Sequence, residues 1–231
     1  MIIQDRANRL ITLHTQNTTY QMKVWDYGVL LHTYYGPRLS GGDLSCLLRC
    51  KDRGFSPNPN EAGSDRTFSL DTFPQEYSTC GVGDFRLPSL ELELPCGSRT
   101  ADLRYVSCEV RRGKYALSGL PAFHGSEEEW ETLSVVLRDA AARVEVELLY
   151  GVQEEYDLIT RAVRVKNAGS ETVRLCRCAS VCLDFVRSDL DMITFNGAHV
   201  MERCPSRAPL RPGIQSVDSV RGLPATSITP S

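Results

Sequence analysis

The chain has 231 residues, with 26 basic against 29 acidic side chains, a net charge of −3, 42% hydrophobic and 24% charged residues. That composition is ordinary for a globular protein, and the length lets it bury roughly 70–75% of its unfolded surface. No basic stripe marks it for nucleic acid, no apolar run approaches the ~18 residues of a membrane helix, and residues 1–10 lack the basic-then-apolar pattern of a secretion signal.

From Arg9 to Tyr35 the pattern is strand-like. Tyr20, Met22 and Val24 alternate with Thr19, Gln21 and Lys23, which marks a half-buried strand. Asp26-Tyr27-Gly28 supplies a turn and Val29 to Tyr35 returns, so a hairpin is expected. Residues 36–86 are dense in Pro, Gly, Asp, Ser and Asn, the turn-formers. Phe55, Phe68, Phe73, Tyr77 and Phe85 are spaced through the second part of that stretch. A linker has no use for five aromatics, so this is a long ordered loop held by buried rings. Loops of that length within a compact domain tend to be functional.

Leu90, Leu92 and Leu94 then alternate with Ser89, Glu91 and Glu93, and Pro95 ends that strand. Leu103 to Val110, Leu133 to Arg138 and Val144 to Tyr150 read as further strands. Glu127 to Glu131 is a helical turn or a charged strand edge. Ile159 to Lys166 and Thr172 to Cys178 flank a turn at Asn167-Ala168-Gly169-Ser170. Strands at eight- to twelve-residue intervals, with turn residues between, give an all-β antiparallel sandwich. After Val186 the pattern weakens, and residues 203–215, with three prolines, are loop or edge. No helix longer than two turns is expected.

Nine cysteines, an odd number without a secretion signal, indicate reduced thiols in a cytoplasmic protein. Cys176, Cys178 and Cys182 do not match the Cys-x2–4-Cys spacing of zinc sites, and buried small hydrophobes are the commoner role for free cysteine. Gly81-Val82-Gly83 has no helix after it to cradle a phosphate. His14, His32, His124 and His199 pair with no nucleophile. No cofactor or metal is expected. Asp84 and Arg86 form a structural pair beside Phe85, and Pro74-Gln75-Glu76-Tyr77 a rigid turn with a buried tyrosine.

Several of these segments, in this order, resemble glycoside hydrolase family 36 α-galactosidases: Tyr34-Tyr35-Gly36, Phe55-Ser56-Pro57-Asn58-Pro59, Ser69-Leu70-Asp71, Pro74-Gln75-Glu76-Tyr77, Gly83-Asp84-Phe85-Arg86, Leu120-Pro121-Ala122, Glu131-Thr132-Leu133, Ile159-Thr160-Arg161 and Ser180 to Asp184. The resemblance covers most of the chain. It implies that residues 1–231 are an N-terminal β-supersandwich domain, two large packed sheets with long ordered loops. It also implies that the chain is truncated before a catalytic (β/α)8 barrel. Such enzymes are retaining glycosidases acting on terminal α-linked galactose in melibiose- or raffinose-type oligosaccharides. They need two carboxyl groups about 5–5.5 Å apart, both in the barrel, the nucleophile within a Lys-Trp-Asp-x-Asn-Arg run. Val24-Trp25-Asp26-Tyr27 shares only Trp-Asp, so no catalytic residue is expected here.

In tetrameric members of the family an aspartate and an arginine of this domain reach a neighbouring subunit's pocket. The matching positions are Asp52 and Arg66, the substrate-binding candidates. A carboxylate and an Arg fork complement the donors and acceptors of a sugar. Where family members can place an aromatic before the aspartate this chain departs with Leu48, and Gly197-Ala198-His199 stands where the family has Gly-x-Trp. The implied partners are α-galactosides, the barrel and further copies of the protein, with no nucleic acid and no membrane. Two rivals stand beside this reading: a free-standing carbohydrate-binding module, and a purely structural oligomerisation domain in which Asp52 and Arg66 meet no ligand.

Overall fold

The computed structural model describes residues 1–52, 58–120, 122–185, 187–198 and 200–218. They fall into two compact units, Met1–Asp184 and Phe185–Ser231. The first is a β-sandwich. One antiparallel sheet runs in chain order through β1 (Ile2–Asp5), β2 (Leu10–His14), β3 (Thr18–Val24) and β4 (Leu30–Pro37). The facing sheet runs equally simply through β6 (Arg104–Arg112), β7 (Glu131–Asp139), β8 (Val144–Gln153) and β9 (Leu158–Asn167). β5 (Leu90–Glu93) and β10 (Arg174–Cys178) form a separate two-stranded ribbon.

The alternation read from the sequence decides which side chains meet. Ile11, Leu13, Tyr20, Met22, Val24 and Leu30 come from the first sheet. Leu133, Val135, Leu137, Val144, Val146, Leu148, Tyr150 and Val152 come from the second, and all share one core. Successive residues of a strand point to opposite faces, so the first sheet also presents an outer face. Val29 and Leu31 project there and pack with Ala62, Phe68, Leu70 and Phe73 of the loop region. The loop is therefore a third layer. Its rings stack edge-on: Phe68 lies 5.3 Å from Phe73 at 88°, and Tyr27 lies 5.0 Å from Phe68 at 77°.

Of the five anticipated anchors, Phe68, Phe73 and Tyr77 are buried. Phe85 is not: its ring is 80% exposed, because Arg86 and Asp84 beside it take the inward-facing positions. Phe55 lies outside the described residues, as do Pro121, His199 and residues 219–231. The hairpin from Thr18 to Pro37 forms as expected, turning through a short 3₁₀ segment at Asp26–Gly28 in which Tyr27 takes a φ of 58°. β1 has no alternation to announce it.

In the second unit, β11 (Asp191–Ala198) pairs antiparallel with β12 (Met201–Pro209). The sequence weakens here because two of its three prolines lie within β12. They are tolerated on a strand edge. Leu210 donates its N–H to Leu190, so the N–H positions an odd number of residues away, at Pro205 and Pro209, face away from the partner strand.

Candidate functional site

Asp52 and Arg66 come together on the loop layer. Arg66 Nε donates to Asp52 Oδ1 at 2.9 Å, with side chains 57% and 64% exposed respectively. The loop between Asn58 and Phe68 holds Arg66 in place from both sides. Ala62, in a 3₁₀ turn at Asn60–Ala62, is buried on one side and Phe68 on the other. Asn58 Nδ2 donates to the Asp65 carbonyl, and the Asp65 carboxylate accepts from the Thr67 N–H and hydroxyl. An ion pair this exposed contributes only about 0–1 kcal/mol to folding. Its groups are thus available to a ligand: a carboxylate that accepts, and a planar fork with further N–H donors.

The loop's position is fixed by Arg86. Its guanidinium grips Asp84 with two bonds of 2.9 Å, reaches Asp184 at 2.9 Å, and donates to the carbonyls of Leu70 and Phe73. Asp84 also accepts from Gln75 at 2.7 Å. Asp84 and Arg86 are the structural pair that the sequence suggested.

Sequence reasoning missed a buried charge at the centre of the sandwich. Pro74 and Gln75 run along β4 before the chain bends at Glu76 and Tyr77: His32 donates its N–H to the Pro74 carbonyl, and Glu76 donates to that of Leu30. A bulge at Thr33 shifts the register between β3 and β4 and brings the His32 ring to 4.7 Å from that of Tyr20. Glu76 is wholly buried beneath them.

The Tyr20 hydroxyl donates across both Glu76 oxygens at 2.6 and 2.7 Å, and the Tyr150 hydroxyl donates at 2.6 Å. Arg161 Nη2 pairs with Glu76 Oε1 at 2.8 Å, Nη1 donates to the Tyr20 oxygen at 2.9 Å, and the guanidinium lies over the Tyr150 ring. His32 Nδ1 stands 3.5 Å from the carboxylate.

Burial by itself raises the Glu76 carboxyl. Arg161, His32 and the Tyr150 hydroxyl outweigh it and hold the group below the usual carboxylate range. The Tyr20 hydroxyl is pushed up, first by burial and then by the Glu76 charge. A sugar has no way into this cluster, and a single carboxylate is not the pair that glycoside cleavage requires. It is a structural bolt joining the two sheets to the loop. It also joins two of the segments that carried the resemblance, 74–77 and 159–161, while Arg86 and Asp184 join two more.

The described residues contain no group of three or more His, Cys, Asp or Glu placed to hold a metal ion, and none of their helices is long and apolar enough to cross a membrane. A cleft of about 500 Å³ opens between β1, β2 and β6, lined by Asp5, Arg9, Ile11, Tyr105 and Cys108 among others. It lies apart from Asp52 and Arg66.

Residues 28–230 match the glycosyl hydrolase family 36 N-terminal domain. The chain belongs to that family. Across 230 residues this family 36 domain is 46% identical to the bifunctional alpha-galactosidase/sucrose kinase AgaSK of Mediterraneibacter gnavus, covering all of this chain and 24% of that protein. Across 211 residues it is 41% identical to alpha-galactosidase AgaA of Geobacillus stearothermophilus, covering 91% of this chain and 29% of AgaA. Its structure superposes on that of the alpha-galactosidase AgaB of Geobacillus stearothermophilus with a TM-score of 0.89 at 41% identity, over 96% of this chain and 30% of AgaB. Doubly substituted variants of AgaA have been solved in complex with raffinose and with stachyose. The chain thus spans about a quarter to a third of the length of these relatives.

Proposed function

We propose that this family 36 domain is the non-catalytic N-terminal part of a cytoplasmic, retaining α-galactosidase that releases terminal α-linked galactose from melibiose- and raffinose-type oligosaccharides. It packs on the catalytic barrel, supports assembly of the oligomer and lends Asp52 and Arg66 to a neighbouring subunit's pocket. The supporting observation is the geometry of those two residues. They are paired, exposed and of little use to folding, yet they sit on a loop that is anchored by buried rings and by Arg86. A surface that needs only to be solvated does not require such anchoring. Cytoplasmic residence is supported by nine unpaired cysteines.

The bonds that Asp52 and Arg66 make to a sugar are charge-assisted, of the kind that contributes about 1.5–3 kcal/mol. In the full-length enzyme, Asp52→Ala and Arg66→Ala are each expected to raise KM for raffinose by about ten- to a hundredfold. The thermal midpoint and oligomer size stay as they were, because the pair is exposed. Steady-state kinetics with size-exclusion chromatography makes the check. Unchanged kinetics in an intact oligomer would leave only the structural role. Turnover of an aryl α-galactoside by the 231-residue chain alone would place catalysis where this reading denies it.

A further inference from the structure

We propose that the cleft between β1, β2 and β6 is a second ligand site, which takes a small organic anion with an apolar body, an arylalkanoic or branched-chain carboxylate, with its charge on Arg6 and Arg9. It stands apart from Asp52 and Arg66 and does not rest on their role.

The cleft exists because both sheets end on this side. β1 is the outer strand of the first sheet and β6 that of the second, so no further strand among the described residues closes the gap between the layers. Its volume is about 500 Å³, within the range of small-molecule pockets. Leu10, Ile11, Val24 and Tyr105 supply its apolar lining.

A bulge shapes one wall. Tyr105 pairs with Leu137 and Ser107 with Val136, which leaves Val106 as the extra residue of β6. Without it, Tyr105 and Cys108 would point to opposite faces of the strand. With it both turn towards the core, and the Tyr105 hydroxyl donates to Cys108 Sγ at 3.2 Å. Bulges re-aim side chains in this way beside functional sites.

The other wall is the turn from β1 to β2. The Asp5 carboxylate is occupied within it, accepting from the N–H groups of Ala7 and Asn8 and from the Asn8 amide. Arg9 is held at a φ of 56°, with its carbonyl accepting from the Val24 N–H at 3.0 Å. Strain of that kind, in a residue that is not glycine, gathers at ligand sites. Arg6 and Arg9 both line the cleft, and neither guanidinium has an ion pair or hydrogen bond to a described residue. Burial pushes the Tyr105 hydroxyl up, and the charge of Arg6 acts against it, so that charge is felt at the inner wall. Two arginines against one occupied aspartate leave the cleft positive. A carboxylate matches a guanidinium fork. A neutral sugar, with hydroxyls on every side, would strand them against the apolar lining.

3-Phenylpropionate is the probe. Isothermal titration calorimetry of the protein should show one saturable site, and the uncharged 3-phenylpropanamide should bind at least about tenfold more weakly, the loss of one charge-assisted contact. Arg6 and Arg9 are exposed, so Arg6→Gln with Arg9→Gln should leave the thermal midpoint within about 2 °C. The same pair should bring the carboxylate down to the affinity of the amide. Cys108 locates the site. Saturating 3-phenylpropionate should slow its alkylation by iodoacetamide several-fold, read by peptide mass spectrometry, and leave Cys96, exposed and outside this cleft, unchanged. Absence of saturable binding, equal affinity for the amide, undiminished binding by the double variant, or an unprotected Cys108 would each overturn the proposal. So would equal protection of Cys108 by galactose or raffinose, which would make the cleft a sugar site.

Discussion

Glu76→Ala is expected to lower the unfolding free energy of the chain by about 3–5 kcal/mol, the cost of leaving one member of a buried ion pair alone. The reason is Arg161. With the carboxylate gone, a guanidinium already nearly sealed from water keeps its charge, and the Tyr20 and Tyr150 hydroxyls lose their acceptor. A domain of this kind has about 5–15 kcal/mol in total, so the variant sits close to unfolding at room temperature. Urea denaturation measures it directly. The companion experiment removes both charges. Glu76→Met with Arg161→Met leaves two hydroxyls unpaired but no buried charge, and is expected to be more stable than Glu76→Ala. A loss under about 1 kcal/mol in Glu76→Ala would mean that the cluster does not bolt the sheets together.

The same group sets an acid limit. Its carboxyl is held low in the folded state, whereas in the unfolded chain it titrates near the free value of about 4.3. Between those two values the unfolded state binds the extra proton, so stability rises with pH in that window. The contribution is fully present above the unfolded value and is lost as pH falls through the folded one. Wild-type urea midpoints should therefore drop on acidification below about pH 4 more steeply than those of Glu76→Gln. Parallel curves for the two would remove Glu76 from the account.

How much of this could be read from the chain divides along physical lines. β3, β5, β8 and β9 were legible because one face of each packs against the core, fully buried in β3, β5 and β8 and partly in β9, so a period of two is written into the residues. β1 and the β11–β12 hairpin were not. The first is four residues without alternation, and the second carries prolines at positions where the strand edge tolerates them. In the loop, burial of Phe68, Phe73 and Tyr77 followed from composition alone. The exposure of Phe85 did not, since a loop has no period to say which way a side chain faces. Asp52 and Arg66 were singled out by resemblance, but nothing in the sequence said that they would touch each other. Glu76 was hidden for a different reason: a glutamate is read as a surface residue until its partners are known, and Tyr20, Tyr150 and Arg161 come from β3, β8 and β9. The only hint was that residues 74–77 and 159–161 both belonged to the recognisable segments.

Phe73→Ala should cost about 3–5 kcal/mol, the range for removing a buried phenylalanine. The ring is 1% exposed and meets Phe68 edge-on and Trp25 at 6.3 Å. Deleting it opens a cavity between the outer face of the first sheet and the loop, and those neighbours can only partly collapse into it. The effect does not stop at stability. Phe68 is two residues beyond Arg66, and the Phe73 carbonyl is one of the acceptors that hold Arg86. Loosening this layer lets Arg66 drift from its place beside Asp52, and about 1 Å of misplacement is enough to cost a positioned contact much of its value. In the full-length enzyme, assayed well below the variant's melting temperature, KM for raffinose should therefore rise while oligomer size holds. Phe73→Leu fills most of the space with another apolar side chain. It should recover the larger part of both losses, to within about 1.5 kcal/mol of wild type. If Phe73→Ala destabilises as expected but leaves KM untouched, the loop layer serves folding only, and the substrate role of Asp52 and Arg66 loses its support.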